Sequence, residues 1–335
     1  MKLKIPIIIW YGVVIISLVL MILIGGITRL TDSGLSMVDW HLFLDMIPPL
    51  SEQQWIAEFN RYKAFPEFKV YHQHFELNDF KSIYFWEYLH RLFARFLGII
   101  FILPLIFFLR KKVFLKKEKK LLYTALFFGC IQAFVGWYMV KSGLQDRPDI
   151  SHLRLALHLS IAFIITLLIV KSLLSRLFSK PLVNYTSRIF VMIIAVLTFT
   201  QVILGAFVSG MKAGYAFNTW PKMGGQWIPD NLFYLDPFLR NLIDNPFVVQ
   251  FIHRHLGVLI VLLIFAYMLY LYRKNSQFLQ YWLISTGLAF FQMLFGIFTL
   301  LWKVPTLMAS IHQILALFLL SSFLIMTHKM KYDFR

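Results

Sequence analysis

The sequence predicts an all-α integral membrane protein with eight transmembrane helices, arranged as two tandem four-helix bundles. Three observations carry this. Of 335 residues, 59% are hydrophobic and 15% charged, where about a quarter of a soluble domain is charged. Apolar runs of about 20 residues, enough to cross a bilayer as a helix, recur eight times. The two halves of the chain also repeat each other's glycines, tryptophans and histidines.

The runs lie at about 5–27, 87–109, 121–140, 152–174, 187–208, 248–272, 279–301 and 306–327. Their connections set the orientation. Lys2 and Lys4 precede the first run, and RKKVFLKKEKK after the second holds seven Lys or Arg. Lys171, Arg176, Lys180 and Arg188 follow on the same side, then Arg273 and Lys274, then Lys329, Lys331 and Arg335. Residues 30–86 are rich in Asp and Glu, and residues 141–151 and 209–247 have mixed charge. Lys and Arg concentrate on the cytoplasmic side of membrane proteins, so both termini are expected in the cytoplasm and the two long loops outside. The net charge of +17 is thus read as topology, with no nucleic-acid partner. The first run is too long for the apolar stretch of a cleavable signal. No Arg- and Ser-rich segment precedes it. The expected location is the bacterial plasma (inner) membrane, multi-pass. A single cysteine, Cys130, excludes an internal disulfide and a Cys-based zinc or iron–sulfur site. The long loops carry Trp40, Trp55, Phe59, Tyr62, Phe65 and Phe68, and are expected to fold as short helices. Trp10, Trp86, Trp137, Trp220, Trp227 and Trp302 are mostly expected as interface-belt residues.

GGITRLTDSGLSMVDW (25–40) aligns with GAFVSGMKAGYAFNTW (205–220) without a gap. His90-Arg91 corresponds to His253-Arg254, IQAFVGWYM (131–139) to FQMLFGIFT (291–299), and His158 to His312. The units are 1–175, with the outer loop 30–86, and 176–335, with the outer loop 209–247. Four spans is an even number, so both units share one orientation and a pseudo-two-fold axis is expected along the membrane normal.

Ionisable groups at membrane depth are costly and mark sites. Each unit offers one His from its second helix and one from its fourth. A His pair on facing helices is how a four-helix bundle holds a haem axially. A lone His in a span is ordinarily a hydrogen-bonded structural residue, but two register-matched pairs ask for more. Zinc and copper also take imidazole, yet two His without Cys make a poor zinc set. The expected metal ligands are therefore His90, His158, His253 and His312. His255 lies two residues from His253 and competes with it. Glu87 precedes His90 by three residues and shares its helix face, and Gln250 stands at the matched place. One unit would keep a haem as a resident cofactor. The other, with Glu87 as its catalytic carboxylate, would do chemistry on its haem. The plainer reading leaves Glu87 at the wet interface. Arg29, Arg91 and Arg254 are expected to bind haem propionates, against a snorkelling alternative. Gln132, Gln201 and Gln292 are expected in interhelical hydrogen bonds.

GGITRLTDSGLSMVDWH, EFNRYKAFPEFK, EYLHR, GWYMVKSGL, NTWPKMGGQWIPD, NPFVVQFIHR and IHQ together resemble the haem A synthase family, in its mitochondrial and alphaproteobacterial-type branch. The resemblance covers nearly the whole chain. It implies an oxidoreductase that oxidises a ring methyl group of haem O to a formyl group, through an alcohol, to make haem A for terminal oxidases. It implies haem O as substrate in the N-terminal half on His90 and His158, and haem b in the C-terminal half on His253 and His312. The family's functional glutamate falls on Glu87. Haem O synthase, a ferredoxin-type electron donor and membrane lipid are the implied partners, and a homo-oligomer is left open. Some branches carry a cysteine pair in an outer loop, which this chain lacks. The residues alone describe equally a di-haem transmembrane electron-transfer cytochrome, or a haem-binding transporter or chaperone. A prenyltransferase is disfavoured, because no Asp-rich motif lies near a span.

Overall fold

The computed structural model describes residues 4–39, 46–143, 149–181, 185–330 and 332–334; Lys2, Trp40, Lys331 and Arg335 lie outside them. Eleven α-helices are described: α1 (Lys4–Leu30), α2 (Glu52–Tyr62), α3 (Pro66–Tyr71), α4 (Leu77–Arg110), α5 (Lys116–Gly143), α6 (His152–Leu177), α7 (Tyr185–Gly210), α8 (Asn241–Asp244), α9 (Pro246–Arg273), α10 (Leu279–Leu301) and α11 (Thr306–Lys329). Eight of them, all but α2, α3 and α8, are long and apolar enough to cross a membrane. The chain is a multi-pass integral membrane protein built from helices. The expected runs each fall within one of these eight. Two short strands, β1 (Phe178–Pro181) and β2 (Tyr332–Phe334), pair antiparallel. Nothing in the hydropathy pattern marks them.

The chain packs as two compact units, Met1–Phe114 with Phe127–His158, and Leu115–Leu126 with Leu159–Arg335. In the first, α1 packs along α4. Ile7, Trp10, Tyr11, Val14, Leu18 and Ile22 recur every three or four residues on the buried face, while Ile5, Ile9, Val13, Ile16 and Leu20 face outward. That spacing gives a helix one packed side and one side for lipid. Trp10 departs from the interface-belt expectation. It is buried, and its indole N–H donates to the Ile100 carbonyl at 3.0 Å. A buried indole needs such a partner.

α4 begins at Leu77, ten residues ahead of the apolar run expected at 87. Its start is set by a capping box in which Glu76 and Asp79 accept each other's backbone N–H. The added turns mix polar and aromatic residues because they pack on a loop core, not on lipid. Phe80, Ile83 and Tyr84 lie against Met37, Phe59 and Tyr62, with Trp55 and Phe68 alongside. Burying each such aromatic stabilises by roughly 2–3 kcal/mol. The 30–86 segment thus holds short helices as expected, and Glu87 lies inside a helix, not at its entry.

In the second unit α7, α9, α10 and α11 form a closed ring, each packing on two neighbours in the order α7–α9–α10–α11–α7. One half of this bundle is solid. Val191, Ile194, Ile260, Ile264, Trp282 and Phe323 belong to a single buried cluster there. Trp282 donates its indole N–H to the Ile264 carbonyl at 2.8 Å. The histidines lie in the other half. Asn245 sets the register of α9: its side chain accepts from Phe247 N and Val248 N, and Pro246 opens the helix. A cap of this kind contributes about 1 kcal/mol and fixes where Gln250, His253 and Arg254 point.

Candidate functional site

Each candidate histidine rests on a glycine of a neighbouring helix. A Cβ on Gly25 would stand 3.1 Å from His90 Nε2, and one on Gly136 would stand 3.0 Å from His158 Cε1. In the second unit a Cβ on Gly205 would stand 3.1 Å from His253 Cε1, and one on Gly296 would stand 2.7 Å from His312 Cε1. Gly25 matches Gly205 in the repeat, and Gly136 matches Gly296. The four imidazoles therefore sit in four equivalent cradles that any larger residue would fill.

The rings of His253 and His312 lie 6.4 Å apart, centroid to centroid, with planes at 73°. A metal–imidazole bond of about 2 Å, plus about 1.1 Å from nitrogen to ring centre, puts two imidazoles on opposite sides of one ion roughly 6.2 Å apart. The observed spacing is close to that value. His312 Nδ1 is 2.8 Å from the Gln292 carbonyl, so it carries the proton and leaves the lone pair on Nε2. The Gln292 side-chain amide lies 3.3 Å from that Nε2. Gln201 ties α7 to α9 by donating to the His253 carbonyl at 2.6 Å. In the first unit His90 and His158 are close enough to feel each other's charge. Among the described residues, the Nδ1 atoms of His158 and His253 are buried without a hydrogen-bond partner. A structural histidine would have spent that nitrogen; a metal ligand keeps one for coordination. Two imidazoles per site suit an ion that already has four ligands in a porphyrin plane. His255 is exposed and bonds its own helix at the Phe251 carbonyl, 2.8 Å away. Its ring is directed away from the pair, which favours His253 as the ligand.

Glu87 is 2% exposed. Its Oε2 accepts from the Ser36 hydroxyl at 2.7 Å and from Met37 N at 2.8 Å. Its Oε1 pairs with Arg91 at 2.6 Å. Arg91 also donates to the carbonyls of Asp39, at 2.7 Å, and Met37, at 3.0 Å. Arg254 does the same with the matched loop, donating to Thr219 O at 2.8 Å and Phe217 O at 2.5 Å. Residues 37 and 39 correspond to 217 and 219 in the repeat. The arginine after each candidate ligand histidine therefore clamps the same point of its own loop. At the matched place Gln250 donates to Phe217 O at 3.2 Å. Glu87 instead receives an N–H from Met37, so the hydrogen bond runs in the opposite sense. Arg29 pairs with Asp32 at 2.8 Å and lines a small cleft with Thr28, Glu67 and Asp149.

Residues 8–324 match the COX15-CtaA family, described as cytochrome oxidase assembly protein. The chain belongs to this family. It is 41% identical over 320 residues to a heme A synthase of Wolbachia pipientis subsp. Culex pipiens, covering 95% of each chain. It is 40% identical to a heme A synthase of Flavobacterium johnsoniae, covering 97% of each. To the heme A synthase COX15 of Bos taurus it is 40% identical over 90% of this chain and 76% of that one. Family membership thus spans bacterial and mitochondrial proteins.

Sequence reasoning missed the four cradle glycines and the loop carbonyls held by Arg91 and Arg254. The glycines were visible as matched positions of the repeat. The carbonyls have no side-chain mark.

Proposed function

We propose that the chain is a haem A synthase, converting haem O to haem A by oxidising a ring methyl group to a formyl group through an alcohol. The observation that carries this reading is the 6.4 Å separation of the His253 and His312 rings. The glycine settings repeat at His90 and His158, in a chain whose relatives bear that name. The units 1–175 and 176–335 act as tandem four-helix halves. Haem b, held by His253 and His312, supplies one-electron transfer when bound. Haem O is the substrate, held by His90 and His158. The tie from His312 Nδ1 to the Gln292 carbonyl supports a resident ligand, since such outer partners fix a ligand ring.

Glu87 is the carboxylate of the substrate half. Three donors, from Ser36, Met37 and Arg91, fix the position of its carboxyl group. A carboxylate fixed in this way stabilises positive charge building at the methyl carbon. Arg29, Arg91 and Arg254 supply the positive charge for haem propionates, since a guanidinium pairs with a carboxylate bidentately. The excess of Lys and Arg in alternate loops supports a topology with both termini in the cytoplasm of a bacterial inner membrane. Haem O synthase supplies the substrate, a ferredoxin-type protein exchanges electrons, and the isoprenoid tail lies in lipid or in an apolar groove between spans.

The test is co-expression with haem O synthase, followed by chromatography and mass analysis of extracted haems. Alcohol and formyl products are expected. Accumulation of unmodified haem O would sink the reading in favour of an electron-transfer cytochrome. In the same cells His253→Ala should lose a low-spin haem spectrum that His255→Ala keeps.

A further inference from the structure

EFNRYKAFPEFK (58–69) builds the end of α2 and most of α3, and it buries titratable groups outside the histidine pairs. Tyr62, Glu67 and His72 are 0%, 6% and 7% exposed. The Tyr62 hydroxyl donates to Glu67 Oε2 at 2.9 Å and lies 2.5 Å from His72 Nδ1. Phe68 and Phe80 pack on the Tyr62 ring at 5.8 and 5.3 Å, which keeps the hydroxyl between its two partners. Glu67 is at the inner end. It lines the cleft with Arg29 and Asp32 and is close enough to Glu87 to feel its charge. His72 is at the outer end, followed by the exposed Gln73 and His74.

We propose that Glu67, Tyr62 and His72 form a proton relay between the substrate half and the loop surface. The proposal rests on the methyl-oxidation reading, since oxidising a C–H bond inside an apolar bundle moves protons across its boundary. The hop balances. With Glu67 protonated and His72 carrying its hydrogen on Nε2, Glu67 donates to Tyr62 and Tyr62 donates to His72 Nδ1. The Glu67 proton passes to the Tyr62 oxygen as the Tyr62 hydrogen passes to Nδ1. Glu67 is left as a carboxylate, Tyr62 neutral and His72 an imidazolium that loses its Nε2 proton outward. The reverse sequence brings a proton in. These residues do not touch substrate; they act through the groups beside it.

Burial pushes the Glu67 carboxyl up to about 8, and the Glu87, Asp32 and Asp149 charges push it the same way, while the Tyr62 hydrogen bond opposes them. The groups facing it are Tyr62 from α2, His72 after α3, Arg29 and Asp32 after α1, Glu87 from α4 and Asp149 before α6. A carboxyl poised there changes protonation at working pH.

The experiment uses the full chain in membranes with haem O supplied. Glu67→Gln still accepts the Tyr62 hydroxyl but carries no proton, and Tyr62→Phe breaks the chain of hydrogen bonds. Each should lower haem O conversion at least about tenfold with haem content unchanged. The titration near pH 8 should vanish from the rate profile of Glu67→Gln. Infrared difference spectra should show a protonated carboxyl titrating near pH 8 in the parent and not in Glu67→Gln, whether or not haem turns over. Parent-like rate and pH profile in Glu67→Gln, or no such band in the parent, overturns the relay. Loss of haem in step with activity overturns it too, by making the network a staple. A parent protein that shows the band and makes no haem A overturns the synthase reading and leaves the titration standing.

Discussion

The cradle at each histidine is a contact between an imidazole and a missing side chain. Gly296→Ala puts a methyl 2.7 Å from His312 Cε1, against 3.1 Å for Gly205→Ala at His253. The closer approach must move the ring. Gly296→Ala is expected to cut the low-spin haem bound per protein at least about tenfold, and Gly205→Ala to cut it less. Gly12 has nothing within 4 Å of a built Cβ, so Gly12→Ala should be neutral or stabilising by up to about 1 kcal/mol. Pyridine haemochrome assay of purified variants ranks the three. Glu67 gives a second expectation. Its folded value, about 8, lies above the ordinary 4.5. The folded state therefore holds a proton that the unfolded chain gives up, and this stabilising contribution is lost as pH rises from about 4.5 through 8. At pH 7.5 Glu67→Gln should melt higher than the parent, and the gap should close toward pH 4.5; a constant gap would contradict the shift. The histidines and Glu87 were legible in the sequence because ionisable residues stand out in apolar runs. The glycines stood out only as matched positions of the repeat; their contact with the histidines was not legible, because glycine is ordinary in membrane helices. The Tyr62–Glu67–His72 contact was hidden because a loop brings together residues with no shared period.

At the scale of elements, Arg91 and Arg254 do for their loops what a cap does for a helix. Each fastens two carbonyls of an irregular segment to the helix that carries the ligand histidine. A hydrogen bond from a charged donor contributes roughly 1.5–3 kcal/mol. Arg254→Ala should therefore speed amide exchange around 217–219 by at least about tenfold, with the α9 interior unchanged. Equal protection in both proteins would show that the aromatic packing of Phe217 on Phe247 holds the loop unaided. The long helices were readable from hydropathy. The early start of α4 was not, because its first turns face a protein core and so lack a lipid-facing pattern. Asn245-Pro246, by contrast, marks the start of α9 in plain sequence, through a side chain that caps and a ring that needs no donor.

At the scale of the molecule, eight apolar runs and a tandem repeat were visible before any coordinates, and eight membrane-length helices follow. The β1–β2 pair was not visible, since strands of three and four residues are too short to show a period. The ring of α7, α9, α10 and α11 has one half filled by its own side chains. That half is complete as soon as the four helices meet, with no prosthetic group required. On the proposed reading, the unit would finish insertion and packing first and take up its haem afterwards. On that reading the segment fastened by Arg254 would work as a door, and the grip of that arginine would set how quickly haem enters and how seldom it leaves.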